Sequence, residues 1–144
     1  MTTAELETFM DGQVERDVGV RQQAGESPDV ALATAIRQFA ELLPDGVRSP
    51  DQYPFTALDG DEPVGTLWLG TERPGAFIYD VIVRPEHRRK GYGEAIMVAA
   101  AQWVEDRGGF APGLDVFGRN AGARALYDGL GFAVTEENHR MALR

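Results

Sequence analysis

Residues 76–94 read AFIYDVIVRPEHRRKGYGE, and this stretch decides the fold of the chain. The segment Ala76–Val83 is apolar and rich in β-branched and aromatic side chains, which predicts a buried strand. Pro85 ends the strand because it has no N–H for a ladder. A basic segment follows, then Gly91 and Gly93, and then apolar residues at helical spacing. The stretch therefore predicts a strand, a basic loop and a helix.

The loop between strand and helix, residues 88–93, has the composition of an anion site, and we call it the glycine loop. The first N–H groups of the following helix lack partners and lie at the positive end of the helix dipole. Gly91 and Gly93 allow the backbone to approach a ligand closely. Arg88, Arg89 and Lys90 add positive charge. The sequence therefore predicts a phosphate or pyrophosphate site.

Two common phosphate-binding loops do not fit this sequence. A Walker loop needs Gly-Lys-Ser/Thr, and no such triplet occurs in the chain. A dinucleotide fingerprint needs a third glycine three residues after Gly93, where Ile96 stands. The remaining pattern, Arg88-x-x-Gly91-x-Gly93, resembles the acyl-CoA pyrophosphate loop of the GNAT superfamily of N-acetyltransferases. Taken alone, the pattern also fits an ordinary basic loop before a helix.

The composition is typical of a soluble globular protein, and we expect a single domain over residues 1–144. The chain has no cysteine and two histidines, which excludes disulfides and thiolate chemistry and argues against a metal site. We find no signal peptide, and no apolar run has the length of a membrane span. We therefore expect a cytoplasmic protein without a membrane partner.

The distribution of charged residues along the chain indicates which class of ligand the protein binds. The net charge of −9 argues against general nucleic-acid binding. Four of the 14 Lys and Arg residues nevertheless fall within Arg84–Lys90. A basic cluster in an acidic protein indicates a specific small polyanion.

Three helices are predicted before residue 110. Thr2 with Glu5 fits a capping box at the first, and Ser27 followed by Pro28 is typical of the start of the second. The third helix follows the glycine loop and extends to Asp106. Its predicted packing face comprises Tyr92, Ile96, Ala99 and Trp103.

Two further strands precede the strand of residues 76–83, and they comprise Tyr53–Leu58 and Pro63–Leu69. Asp59-Gly60 is a hairpin signal, with a connecting loop of more than two residues. Beyond residue 110 the pattern predicts a short strand, a helix and a final hairpin. The complete predicted order is α-α-β-β-β-α-β-α-β-β.

Residues 114–132 read LDVFGRNAGARALYDGLGF and resemble the second half of the GNAT fold. An apolar strand, Asn120, Ala-Leu-Tyr and Leu-Gly-Phe occur in the family's order and at its spacing from the glycine loop. The resemblance covers Tyr53 to Leu143, and the helical first part also resembles bacterial members. It implies an α/β (α+β) fold with a central, mostly antiparallel mixed sheet and flanking helices.

Two features depart from the family pattern. The family's strand before its first helix is predicted to be missing or very short, so Tyr53–Leu58 is predicted to be an exposed edge. An exposed edge predicts a homodimer, unless Pro54 and the N-terminal helices cover it within one chain. Arg89 stands where many members have glycine, which predicts a stiffer loop.

The resemblance also implies a role for each motif. The main chain of Val81, Ile82 and Val83 would pair with the pantetheine arm of acetyl-CoA. The pyrophosphate would lie on Arg88, Arg89, Lys90, Gly91, Tyr92 and Gly93. Asn120 would contact the arm or, alternatively, only cap its helix. Tyr127 would be the general acid for the leaving CoA thiolate, and a core tyrosine is the alternative.

The sequence does not identify a general base. Asp80 is a candidate because it is a carboxylate in an apolar strand. Strand alternation places Asp80 on the face opposite four other side chains, which favours a structural role. These four are Phe77, Tyr79, Val81 and Val83. The weaker candidates are Glu62, Glu137 and His139. We predict that His87 is solvated. Tyr53 and Trp68 are predicted to pack in the core, and a place in the acceptor cleft is the alternative.

The implied activity is transfer of an acetyl group from acetyl-CoA to a primary amine, without a metal. The acceptor, a small molecule or a peptide amine, is not identified by the sequence. A non-catalytic acyl-CoA sensor on the same fold is the alternative. Tyr127 favours the enzyme.

Overall fold

The computed structural model describes residues 1–71, 76–109, 113, 114 and 129, and it begins with two helices. Helix α1 comprises Thr3–Gln23, and its predicted capping box is present between Thr2 and Glu5. Helix α2 comprises Pro28–Leu42 and begins at Ser27, whose Oγ accepts a hydrogen bond from the N–H of Val30. Both predicted helix starts are confirmed, because each supplies an acceptor for a first-turn N–H.

Among the described residues, a four-stranded sheet in the order β1-β2-β3-β4 follows the helices. Its strands are β1 Gln52–Asp59, β2 Glu62–Gly70, β3 Phe77–Val83 and β4 Gly113–Leu114. The first three are antiparallel, whereas β4 is parallel to β3. Helix α3, Tyr92–Asp106, connects β3 to β4. This mixed sheet with flanking helices confirms the predicted fold class, while the predicted last helix and final hairpin lie outside the described residues.

The β1–β2 hairpin is tighter than predicted. Asp59 pairs with Glu62, so the loop contains only Gly60 and Asp61, and the prediction of a longer loop is wrong. Gly60 has a φ of +61°, a left-handed conformation that glycine adopts without steric cost. The hairpin therefore turns within two residues, as favoured in antiparallel pairs.

One layer of the core lies between the sheet and the two N-terminal helices. Trp68 of β2 is at its centre and is only 1% exposed. Of the aromatic rings in the described residues, three contact its ring, those of Phe9, Phe39 and Tyr79. Complete burial of a large apolar side chain stabilises a fold by about 1.5–3 kcal/mol. The prediction that Trp68 packs in the core is confirmed.

The second layer lies between the sheet and α3. Its buried residues are Leu67, Leu69, Ala76, Ile78, Ile96, Met97, Ala100 and Val104. Tyr53, whose predicted place in the core is also confirmed, packs against this layer and contacts the ring of Trp103. The predicted face of α3 is partly wrong, because Ala99 is exposed and Met97 and Ala100 are buried in its place.

An irregularity in β3 changes which side chains share a face. Trp68 pairs with Asp80 whereas Leu69 pairs with Ile78, so Tyr79 is an extra residue in the ladder. As a result Tyr79 and Asp80 both face the α1 layer, where Tyr79 stacks on Trp68 and Asp80 contacts α1. The prediction that Asp80 and Tyr79 lie on opposite faces is therefore wrong, because a β-bulge interrupts the alternation.

Gly65 of β2 is predicted to be required for the sheet. A Cβ at this position would collide with the carbonyl oxygen of Ile82 and lie 3.2 Å from Cδ1 of Ile96. Gly65→Ala is expected to lower the free energy of unfolding by about 1–3 kcal/mol, measured by urea denaturation.

The matched control is Gly19→Ala, because Gly19 lies within α1 and has no atom within 4 Å of its Cβ position. This change is expected to raise the free energy of unfolding by about 0.5–1 kcal/mol. Equal effects of the two substitutions would contradict the close contact assigned to Gly65.

Candidate functional site

The glycine loop leads into α3 and contains two residues in the left-handed conformation. A short 3₁₀ turn, Pro85–His87, leads into it from β3. Arg89 has a φ of +62° and Gly91 a φ of +83°. Gly91 is followed directly by the right-handed residues of α3, and this succession turns neighbouring N–H groups towards one side, which favours an anion. At the φ of Arg89 an L side chain is strained, so glycine would adopt this conformation more readily.

Within the part of the chain that the structure describes, no side chain caps the N-terminus of α3. Gly91 occupies the N-cap position, and the first backbone bond of the helix runs from the N–H of Ala95 to the carbonyl of Gly91, at 3.1 Å. The N–H groups of Tyr92, Gly93 and Glu94 therefore have no carbonyl acceptor within the helix. Together with the helix dipole, these groups favour a bound anion.

A cavity of about 260 Å³ lies at this helix start. It is lined by Val83, His87, Arg88, Arg89, Gly91, Tyr92, Gly93 and Glu94. The structure thus brings together the end of β3 and almost the entire predicted pyrophosphate segment. Arg88, Arg89 and Lys90 are exposed, so their charges are available to a ligand.

The peptide groups at the end of β3 point in two directions. The N–H of Arg84 donates to the carbonyl of Val64 in β2, at 2.9 Å. Because successive peptide groups of a strand alternate, those of Ile82 also face β2, whereas those of Val81 and Val83 face away. In agreement, the carbonyl of Val83 accepts a bond from Nε of Arg88, at 3.2 Å.

Two acidic side chains of the β1–β2 hairpin contact residues on either side of the basic segment 88–91. One contacts Tyr92 and the other contacts His87. The hydroxyl of Tyr92 donates to Oδ2 of Asp59 at 2.6 Å. This bond raises the pKa of Tyr92, so the phenol stays protonated and the bond stays intact throughout the neutral range. Nε2 of His87 lies 3.1 Å from Oε1 of Glu62.

The prediction that His87 is solvated is wrong. Its side chain is only 10% exposed, because it packs edge-to-face against the ring of Tyr92 and forms the contact with Glu62. No local pattern in the sequence indicates these contacts, since the hairpin and the loop are more than 20 residues apart. Glu62, a weak candidate for the base, is therefore engaged with His87.

Asp80 is engaged by α1 on the other face of the sheet. Its Oδ2 accepts a hydrogen bond from Nε2 of Gln13 and lies 3.1 Å from Nη2 of Arg16. Both contacts tie β3 to α1, which agrees with the predicted structural role. Asn120 and Tyr127 lie outside the described residues, as do Glu137 and His139, so their roles stay predictions.

The predicted edge strand is at the edge of the described sheet, where β1 pairs with β2. The amino group of Met1 donates to the carbonyl of Pro54 at 3.3 Å, and Oγ1 of Thr56 donates to Oε1 of Glu5 at 3.3 Å. The start of α1 thus covers part of this edge, and the homodimer stays a prediction. None of the described helices has both the length and the hydropathy that a membrane crossing requires.

Comparison with known proteins finds similarity to acetyltransferases, both in a family profile and in an individual relative. The sequence profile of the acetyltransferase (GNAT) family matches residues 22–132. The N-acetyltransferase YycN of Bacillus subtilis, itself uncharacterised, is 30% identical over 142 residues, which cover 94% of this chain and 91% of YycN.

Solved structures give the same fold. The crystal structure of YycN has a TM-score of 0.90 at 29% identity, covering 100% of this chain and 96% of that chain. The PaiA N-acetyltransferase of Thermoplasma acidophilum, in complex with coenzyme A, has a TM-score of 0.69 at 20% identity, covering 96% and 89%. The family match and the relative, both spanning most of the sequence, show that this chain belongs to the acetyltransferase (GNAT) family.

Proposed function

We propose that this protein is an N-acetyltransferase that moves the acetyl group of acetyl-CoA to a primary amine of a small molecule or peptide. The observation that carries the proposal is the uncapped start of α3, with its basic glycine loop directly after β3. Family membership supports the acetyl-transfer class, and the coenzyme A complex of the structurally similar PaiA protein supports the co-substrate. A single cytoplasmic domain that works without a metal remains part of the proposal.

The residues of the glycine loop fit a diphosphate. The N–H groups of Tyr92, Gly93 and Glu94 lack helix acceptors, and three exposed cations precede them. Arg88, Arg89 and Lys90 would neutralise the charge, while the backbone would supply directional hydrogen bonds. The cavity of about 260 Å³ at this point would hold only part of acetyl-CoA.

The pantetheine arm would lie along residues 81–83 of β3, as an additional strand. Val81 and Val83 would make the direct main-chain contacts, because their peptide groups face away from β2. Ile82 would contribute to arm binding only indirectly, because it lies between Val81 and Val83 and its own peptide groups face β2. Asn120 would contact the arm from the second motif.

The chemistry of the proposed reaction is acyl transfer from a thioester. The acceptor nitrogen attacks the acetyl carbon, the C–S bond breaks, and the nitrogen loses a proton. Tyr127 would give its phenolic proton to the CoA thiolate and so assist its departure. An acceptor that arrives as an ammonium ion would first lose a proton to water, whereas one that arrives as the free amine would not need to. In both cases the nitrogen loses a proton after the attack, and this proton would pass through water to the Tyr127 phenolate and restore the phenol.

Acetylation of a panel of amines tests the proposed function. The panel contains polyamines, amino sugars, free amino acids and lysine peptides, and CoA release is measured with a thiol reagent alongside mass spectrometry of the products. The proposal expects one class to gain 42 Da per transferred acetyl group, a mass set by the chemistry of acetylation. Binding of acetyl-CoA without any acetylated product would favour the acyl-CoA sensor instead.

Gly91→Glu is predicted to abolish the thermal stabilisation that acetyl-CoA gives to the protein. A ligand at about 100 times its Kd stabilises the folded state by about 2.7 kcal/mol, and a carboxylate at the N-cap would repel the diphosphate and obstruct its approach. Differential scanning fluorimetry with and without acetyl-CoA measures the effect.

The matched control is Gly108→Glu at the other end of α3. Gly108 also has a positive φ, +74°, and neither glycine has an atom within 4 Å of its Cβ position. Both variants therefore carry a similar backbone strain and the same charge. Only Gly91→Glu is expected to lose the ligand-induced shift, and retention of the shift would remove the diphosphate from this loop.

Tyr127→Phe is predicted to lower kcat by at least about tenfold, a cautious limit for the loss of a general acid. The Kd for acetyl-CoA is expected to change by less than about threefold, because the ring is retained. Steady-state kinetics and calorimetric titration measure the two effects. Tyr53→Phe, a change in the α3 layer of the core, is the control and is expected to leave kcat unchanged. An unchanged kcat in Tyr127→Phe would refute the acid role.

A further inference from the structure

The β1–β2 hairpin carries three carboxylates within four residues, directly beside a loop with three cations. These are Asp59, Asp61 and Glu62. Asp59 and Glu62 are paired directly across the ladder, an arrangement that is unfavourable for two like charges. Both are exposed, and each contacts a residue of another element. The hairpin therefore has two like charges in close proximity, each with a separate partner.

The partners of these carboxylates lie on either side of residues 88–91, which form the basic part of the glycine loop. Asp59 accepts a bond from Tyr92, the first residue of α3, at 2.6 Å. Glu62 contacts His87, the last residue of the 3₁₀ turn, at 3.1 Å. The segment between these two anchors contains the three cations and both left-handed residues. The two residues that flank the β1–β2 turn thus contact both ends of this segment.

The backbone between the anchors needs such a restraint. Arg89 is held in a left-handed conformation that is strained for a non-glycine residue, and such a conformation persists only where the surrounding structure imposes it. His87 is also packed against the ring of Tyr92, at 5.7 Å between ring centroids, so the two anchors support each other.

We propose that Asp59 and Glu62 are positioning residues that hold the glycine loop in its anion-binding conformation through Tyr92 and His87. The proposal rests on the proposed function, because the bound anion would be the diphosphate of acetyl-CoA. A purely electrostatic role would have the opposite effect, since carboxylates near the loop repel a polyanion. Positioning and electrostatics therefore predict opposite changes in affinity when Asp59 is removed.

The test uses Asp59→Ala, Tyr92→Phe and the double variant, with Asp61→Ala as the matched control. Asp61 has the same charge and lies in the same hairpin, two residues from Asp59. Tyr92→Phe removes the hydroxyl without changing the charge at neutral pH. Glu62→Ala tests the second anchor in the same way.

The first measurement needs no ligand. Trypsin cleaves after Arg88, Arg89 and Lys90, so the rate of cleavage in this segment reports how often the loop opens. Asp59→Ala and Tyr92→Phe are expected to increase this rate by about threefold or more, the range of one lost hydrogen bond. Asp61→Ala is expected to be cleaved at the wild-type rate.

The second measurement is the Kd for acetyl-CoA by calorimetry. Asp59→Ala and Tyr92→Phe are expected to bind about threefold to tenfold more weakly, with the double variant no weaker than the weaker single variant. Asp61→Ala is expected to bind equally well or more tightly. Glu62→Ala is expected to follow Asp59→Ala.

The outcomes separate the positioning role from the proposed function. If Asp59→Ala matches Asp61→Ala in cleavage and affinity, the positioning role is refuted. Faster cleavage with unchanged affinity would reduce the contacts to a structural role and also refute it. If the wild-type protein does not bind acetyl-CoA, the proposed function fails, while cleavage still decides whether the hairpin holds the loop.

Discussion

The first turn of α3 has N–H groups that no side chain of the described residues caps, and the site depends on this constraint. Leaving such groups unpaired is unfavourable, and a bound anion is one of the partners that satisfies them. The left-handed Gly91 directs the chain from the end of β3 into this helix. The buried face of α3, with Met97 and Val104, fixes the helix on the sheet and so sets the direction of its free N–H groups.

Strand β3, which leads into the site, separates two different environments. On one side, Trp68 and Tyr79 pack under α1, and Asp80 is bonded to that helix. On the other side, Val81 and Val83 pack towards α3. The β-bulge makes this division possible by placing two successive residues on the α1 side. The peptide groups of residues 81 and 83 remain directed away from β2, where a ligand could extend the sheet.

Local patterns in the sequence predict most of the described fold. Ser27-Pro28 gives a helix start because its chemistry acts within a few residues, and the glycine loop is predictable for the same reason. The bulge at Tyr79 is not predictable, since it depends on the register between two strands. The burial of His87 and the bond from Tyr92 to Asp59 depend on the hairpin, which is distant in sequence but adjacent in the fold. Long-range contacts of this kind leave no local pattern.

In the proposed function, the glycine loop binds the diphosphate of acetyl-CoA. The decisive measurement is calorimetric titration of the wild-type protein with acetyl-CoA and with S-acetylpantetheine, which has the same thioester arm but lacks the diphosphate and the adenosine nucleotide. We expect S-acetylpantetheine to bind at least about a hundredfold more weakly, because it loses several charge-assisted hydrogen bonds. Equal affinity for the two compounds would mean that binding does not involve the loop.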